Sequence, residues 1–335
     1  MHIFRCRRPT PVFRLCANRK KRKNSGWGEA GFAKRALDIG FPRGYNNEKE
    51  KSREGNGFTM ITYALFNVKG GAGKTTTAVN LAHIFATEMQ KRVLLVDLDP
   101  QSNSTSFFSD DDVDILRVMQ EIFVQRRKDV SKQKQYPVTV GDLILDRSRD
   151  PHEGIYPTRF AGLDLMPADL SLSTVEVQLK ANVSIVQQIC LRNQLRKVAH
   201  EYDICILDLS PSINLLNING LAMTDWILTP LRLDRWGLSG YCLASELTDT
   251  VSDFNPALKM AGCFFTQWAP SNLSGQIRSF MQNILAEQYI DIPIRKAVRV
   301  EETTYNHSPI TEYDPRCTAA QDYRDLARYI LAHFR

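Results

Sequence analysis

No uncharged apolar run in the 335 residues approaches the roughly 18 that a membrane-spanning helix needs, which excludes a chain built on such spans. Cysteine is sparse and unpaired in pattern. The seven (Cys6, Cys16, Cys190, Cys205, Cys242, Cys263, Cys317) are odd in number, scattered, and include no C-x-x-C. That argues against a disulfide scaffold or a zinc ribbon and for a reducing compartment. Residues 60–335 contain no internal repeat, no low-complexity tract and no identifiable helix-turn-helix. They also carry no net positive charge: residues 1–59, with 15 Lys and Arg against 5 Asp and Glu, hold +10 of a chain whose total is +6. The remaining 28 basic and 32 acidic residues leave the body mildly acidic. Any nucleic-acid surface on the body is therefore a local patch and not a global field.

What is present divides at Met60. Residues 1–59 carry the run Arg19-Lys20-Lys21-Arg22-Lys23 and sustain no hydrophobic period, so a disordered basic extension is expected. It reads as a nucleic-acid-binding arm, as a targeting peptide (its first 28 residues are Arg-rich and acid-free), or as a segment not normally made. Met60, immediately before the first strand pattern, favours the third reading.

From Ile61 the pattern is α/β. Ile61–Asn67, Arg92–Asp97, Asp203–Asp208, Trp226–Pro230, Met260–Thr266 and Tyr289–Pro293 are short, continuously apolar runs, as expected of strands buried on both faces of a parallel sheet. Helical patterns lie between them, the first over Thr75–Gln90. The expected fold is a doubly wound, mostly parallel sheet with helices on both faces and ligands at the carboxyl ends of the strands. A helical insertion near 113–137 interrupts the alternation.

The strongest chemical signal is Lys69-Gly70-Gly71-Ala72-Gly73-Lys74-Thr75-Thr76, between a strand and a helix. Glycines allow the backbone N–H groups to curl around phosphate oxygens, and the helix adds its positive end. Lys74 would reach the β- and γ-phosphates and the Thr75 hydroxyl would ligate Mg²⁺. Asp97, Asp99 and Asp208 end strands, where carboxylates face the ligand crevice. Asp208 reads as the carboxylate that holds Mg²⁺ through water.

Val68 stands where the standard G-x-x-x-x-G-K-[ST] loop has its first glycine, and a second lysine, Lys69, follows. This loop resembles the deviant Walker A loop of the ParA/MinD ATPases. KGGAGKTTTAVN (69–80), RVLLVDLDPQSN (92–103), GLDLMPA (162–168), YDICILDLSPS (202–212) and ITEYDPRCTAAQDYRD (310–325) are similar to the ParA partition ATPases over nearly the whole body. Ser102, where that family usually has glycine, and Ser210, where it often has proline, are departures.

The resemblance implies a P-loop ATPase using ATP and Mg²⁺, with Lys69, Lys74 and Asp99 catalytic. Lys69 would cross an ATP-sandwich homodimer to the partner's nucleotide. Asp99 would orient the attacking water in a first switch, with Asp97 close by at the metal. Ser210–Ser212 would form a second switch, and Pro293 would pack on adenine. Arg295, Lys296 and Arg299 would contact nonspecific DNA, and a ParB-like partner would stimulate hydrolysis. The implied location is cytoplasmic and nucleoid-associated, in plasmid or chromosome segregation. Alternatives with the same core are a positioning ATPase for protein or organelle cargo and a MinD-like membrane regulator. The apolar face of the last helix is expected to pack on the core and not on a membrane. Isolated cysteines argue against the cluster chemistry of the nitrogenase iron protein and Mrp-type carriers.

Overall fold

The computed structural model describes residues 60–109, 136–182, 186–234 and 237–335. The expectations for residues 1–59 and for nearly all of the insertion near 113–137 lie outside them.

Seven strands form one sheet: β1 (Ile61–Leu65), β2 (Val93–Leu98), β3 (Tyr156–Pro157), β4 (Leu163–Met166), β5 (Ile204–Leu209), β6 (Trp226–Arg232) and β7 (Lys259–Thr266). Their order is β3-β4-β2-β5-β1-β6-β7, parallel throughout except for the β3–β4 edge pair. The helices are α1 (Lys74–His83), α2 (Asn103–Phe107), α3 (Val140–Leu145), α4 (Leu172–Ala181), α5 (Cys190–Leu195), α6 (Leu215–Leu221), α7 (Gly237–Val251), α8 (Asn272–Leu285), α9 (Val298–Asn306), α10 (Ile310–Tyr313) and α11 (Thr318–His333).

Alternation along each strand builds two cores. Ala64, Leu94, Val96, Cys205 and Leu207 join the cluster that α3 to α7 cover. Tyr63, Leu65, Leu95, Ile204 and Ile206 join the cluster beneath α1, α10 and α11. Both faces are buried, which is why these strands lack an alternating polar set. Tyr323, Leu326, Ala327 and Ile330 of α11 belong to the second cluster, so the last helix packs on the core as expected. No helix among the described residues is long and apolar enough to cross a membrane.

Two expected elements are corrected. Tyr289–Pro293 is not a full strand. Tyr289 makes an isolated bridge to Cys263 and Ile290 N–H reaches the Cys263 carbonyl at 2.8 Å, but Ile292 N–H turns back to the Ile290 carbonyl at 2.8 Å, so the ladder breaks there before Ile294 N–H rejoins β7 at the Phe265 carbonyl. The first helix does not run unbroken to Gln90. It passes into a π-turn at Ile84–Glu88. The Thr87 hydroxyl donates to the His83 carbonyl at 2.8 Å, taking the acceptor that the Thr87 amide would use in an α-helix.

His83, 6% exposed, ends α1 between Thr311 (Nδ1 to Oγ1, 2.8 Å) and the edge of Phe160. Burial holds its pKa down at about 4, against the acids Glu312 and Glu88, which oppose the shift. A depressed imidazole leaves the unfolded chain the stronger proton binder, so this group's stabilisation is lost as pH falls from 6.5 towards 4. The full effect is of the order of 3 kcal/mol. In urea melts at pH 7 and pH 4.5, His83→Gln should lose less stability on acidification than the unaltered chain. Equal losses would show that this imidazole does not drive the acid limb.

Candidate functional site

The phosphate loop leaves β1 at Phe66 and enters α1 at Lys74. Its shape is held from three sides. Asn67, fully buried, accepts from the Lys69 amide at 2.9 Å and donates to the Pro230 carbonyl at 2.8 Å, tying the loop to β6. Thr266 at the end of β7 donates its hydroxyl to the Ala72 carbonyl at 2.9 Å, and Gln267 reaches the Gly71 carbonyl at 3.4 Å. Gly71 and Gly73 take φ of 70° and 84°, left-handed values that a Cβ penalises. With the Ala72 and Gly71 carbonyls held by Thr266 and Gln267, the loop can turn its amides to an anion.

Lys74 is 7% exposed, with Nζ 3.4 Å from the Lys69 carbonyl. Its side chain therefore reaches back along the loop to its first half. Burial lowers the ammonium pKa, and Asp208 and Asp99 work against that shift. Lys69 forms an ion pair with Asp234, just beyond β6.

Three carboxylates stand at or just past the ends of β2 and β5, and Asp208 and Asp99 act on Lys74. Asp208, 1% exposed, accepts from Ser104 Oγ at 2.7 Å through Oδ2 and also from the Thr75 hydroxyl. Its Oδ1 is buried without any hydrogen-bond partner. Asp99 accepts from the Gln101 amide at 2.9 Å. Asp97, expected beside the metal, is instead a brace. Its Oδ1 accepts from the Asp99 amide at 3.0 Å, and its Oδ2 from the Thr105 amide and hydroxyl at 2.9 and 2.8 Å. Burial raises the pKa of both Asp97 and Asp208. Their mutual repulsion raises Asp97 further, while Ser104, Thr75 and Lys74 restrain Asp208. A buried carboxylate with a raised pKa, an orphaned oxygen and a threonine hydroxyl on its other oxygen is a donor set that suits a divalent cation. Thr75 and Asp208 fit Mg²⁺; Asp97, with both oxygens taken, fits a supporting part.

Ser102 has φ 50°, which explains why glycine suits this position; serine stays there at a cost of about 1 kcal/mol. It starts α2, whose Ser104 and Thr105 clasp the two buried carboxylates. Neither hydroxyl stood out in the sequence, because a serine-rich stretch carries no periodic signal. The expected second switch is also anchored: Ser210 Oγ lies 2.8 Å from Ser212 Oγ, and Asn217 of α6 donates to the Ser210 carbonyl at 2.9 Å.

Pro293 lines a cleft with Trp268, Pro270 and Arg295, next to the β7 end that holds the loop. Trp268 is buried against Phe265, while Trp226 is half-buried against Phe334. The expected DNA cations behave differently from one another. Arg295 is bound by Asp322 at 2.6 to 3.1 Å, and Arg299 by Glu302 at 2.8 Å. Both therefore have intramolecular work. Arg278, Arg324 and Arg328 are likewise paired with carboxylates. Among the described residues from 295 to 316, Lys296 and Arg316 are the exposed cations not drawn into such a pair.

A family model described as AAA domain matches residues 60–260. The sporulation initiation inhibitor protein Soj of Bacillus subtilis is 32% identical over 275 residues, covering 81% of this chain and 98% of Soj. The chromosome partitioning protein ParA of Myxococcus xanthus is 32% identical over 267 residues, covering 79% of this chain and 86% of that protein. Among solved structures, a cobyrinic acid a,c-diamide synthase from Mycobacterium smegmatis, with an ATP analogue and magnesium bound, superposes with a TM-score of 0.66. It is 23% identical and covers 82% of this chain and 96% of that one, a likeness of fold. With the deviant phosphate loop in place between β1 and α1 and relatives matched nearly end to end, the chain belongs to the ParA/Soj family of P-loop ATPases.

Proposed function

We propose that the chain is a Mg²⁺-dependent ATPase that partitions DNA, acting as an ATP-bridged homodimer that holds nonspecific DNA until a ParB-like partner stimulates hydrolysis. The observation that carries this reading is the convergence of Lys69, Lys74, Thr75 and Asp208 on one glycine loop, in a chain whose relatives include named chromosome partitioning proteins.

Residues 69–76 bind the triphosphate, and Lys74 spans its outer phosphates from a desolvated position where its charge acts strongly. Thr75 and Asp208 would hold Mg²⁺, which neutralises charge developing on the phosphoryl oxygens. Asp99 orients the water. Asp97 fixes Asp99 through its backbone amide, and so sets the aim of the first switch. Pro293 packs against adenine.

Lys69 has two partners in this cycle. In the single chain Asp234 holds it; in the dimer it transfers to the nucleotide of the partner subunit. The γ-phosphate favours the dimer only by the difference between these two contacts, so Asp234 sets the threshold for closure.

The pairing of Arg295 and Arg299 leaves few cations for DNA. Lys296 and Arg316 give two per protomer, and a dimer making about four phosphate contacts should show a log–log salt slope near −4 in its ATP-dependent binding. The test is DNA retention by the full chain with Mg-ATP, Mg-ADP or no nucleotide, across a salt series. Retention should rise with ATP alone, and Lys296→Glu with Arg316→Glu should abolish that rise. Equal retention in all three states would refute the switch.

A further inference from the structure

One cation beside the phosphate loop has no part in the family's loop pattern: Arg232, the last residue of β6. Two independent registers bring it there. β6 pairs with β1 up to Leu228 opposite Leu65, then runs four residues farther, roughly 13 Å along the path of the loop. On its other side Arg232 is in register with Thr266, the residue whose hydroxyl holds Ala72. The result is direct: a β-carbon built on Gly71 would stand 3.8 Å from Arg232 Nη1.

Arg232 is exposed, and no carboxylate among the described residues pairs with it. Eight other arginines of the described residues lie on carboxylates. Asp234, two residues on, holds Lys69. The charge balance of the site makes this arginine significant. Lys69 is neutralised in the single chain, and Asp208 and Asp99 act on Lys74. With Asp208 assigned to Mg²⁺, Lys74 is the one side-chain cation that the loop itself brings to the outer phosphates, and Arg232 would add a second.

The position also selects which phosphate is met. Lys74, the residue that reaches the β- and γ-phosphates in such loops, has its Nζ at the Lys69 carbonyl. The outer phosphates therefore lie at the 69–71 end of the loop, where Arg232 stands. We propose that Arg232 binds the terminal phosphoryl group of the nucleotide on its own subunit, a cis cation that distinguishes triphosphate from diphosphate. A guanidinium is suited to this, since it donates in a planar fork to two phosphate oxygens.

This inference rests on the nucleotide-binding reading above, and calorimetry separates the two. The full chain is titrated with Mg-AMPPNP and with Mg-ADP, as are Arg232→Gln and Arg232→Lys, with melting curves to verify the fold. Arg232→Gln should weaken AMPPNP binding about 10-fold and leave ADP within twofold, and Arg232→Lys should recover part of the loss. Unchanged affinities in Arg232→Gln, or equal weakening for both nucleotides, would overturn the assignment while leaving the loop's own role intact. Failure of the unaltered chain to bind either nucleotide would overturn both readings together.

Discussion

Lys74→Ala should remove measurable binding of Mg-ATP, raising Kd at least about 100-fold, which corresponds to roughly 3 kcal/mol. The magnitude follows from where the charge sits. At 7% exposure Lys74 has already given up most of its hydration, and burial has lowered its pKa, so the chain bears that desolvation before any ligand arrives. A triphosphate then meets an ammonium that water scarcely screens. Half-buried Lys69, held by Asp234, contributes less to binding and more to closure of the dimer. The alanine variant should fold, because the one hydrogen bond of Lys74 is a 3.4 Å contact to a carbonyl and the loss of its charge leaves Asp208 to take up a proton. Lys74→Arg should rescue poorly, since the guanidinium's larger planar head does not fit a slot formed around an ammonium. Calorimetry that finds the alanine variant within threefold of the unaltered chain would remove Lys74 from the site.

The loop was legible in the sequence because its chemistry is local: glycines, a lysine and a threonine within eight residues between a strand and a helix. The principal strands were legible for the same reason, since burial on both faces writes an unbroken apolar run such as Ile204–Leu209. The edge pair was not. Tyr156–Pro157 has two residues, too short to show a period, and Leu163–Met166 emerged only through its likeness to a family stretch.

Least legible were the polar contacts between distant segments. Thr266 reaches Ala72 across 194 residues and Asp234 reaches Lys69 across 165. Hydrophobic period reports which residues are buried, not which polar groups meet. The same blindness hid the pairing of Arg295. Composition shows a basic cluster, but only the fold reveals that Asp322, 27 positions on, occupies it. Arg232 escaped notice for the converse reason. Its neighbours in sequence are ordinary, and its significance comes from β6 outrunning β1.

Asp208→Asn should separate stability from function. The sign follows from the direction of the shift. Burial raises the pKa of Asp208 in the folded chain, with Asp99 adding to it, so its contribution is fully present below the unfolded value and is lost as pH rises through the folded one. At neutral pH the ionised carboxylate, with Oδ1 unpartnered and Asp97 nearby, is therefore a liability to the nucleotide-free fold. Asparagine removes the charge and keeps an acceptor for Ser104. The variant's melting temperature without nucleotide should equal or exceed that of the unaltered chain at pH 7.5. Its response to Mg²⁺ should vanish, because a cation stabilises only a fold that offers it an ionised ligand. In the unaltered chain, Mg²⁺ should raise the melting temperature beyond the effect of nucleotide alone, and Mg²⁺-dependent turnover should exceed that of the variant at least about 10³-fold. The excess stabilisation over the variant should fade as pH falls through about 6, where protons compete for Asp208. A Mg²⁺ increment that survives in Asp208→Asn would move the metal to another carboxylate, and Asp97 would first have to surrender Thr105 to accept it.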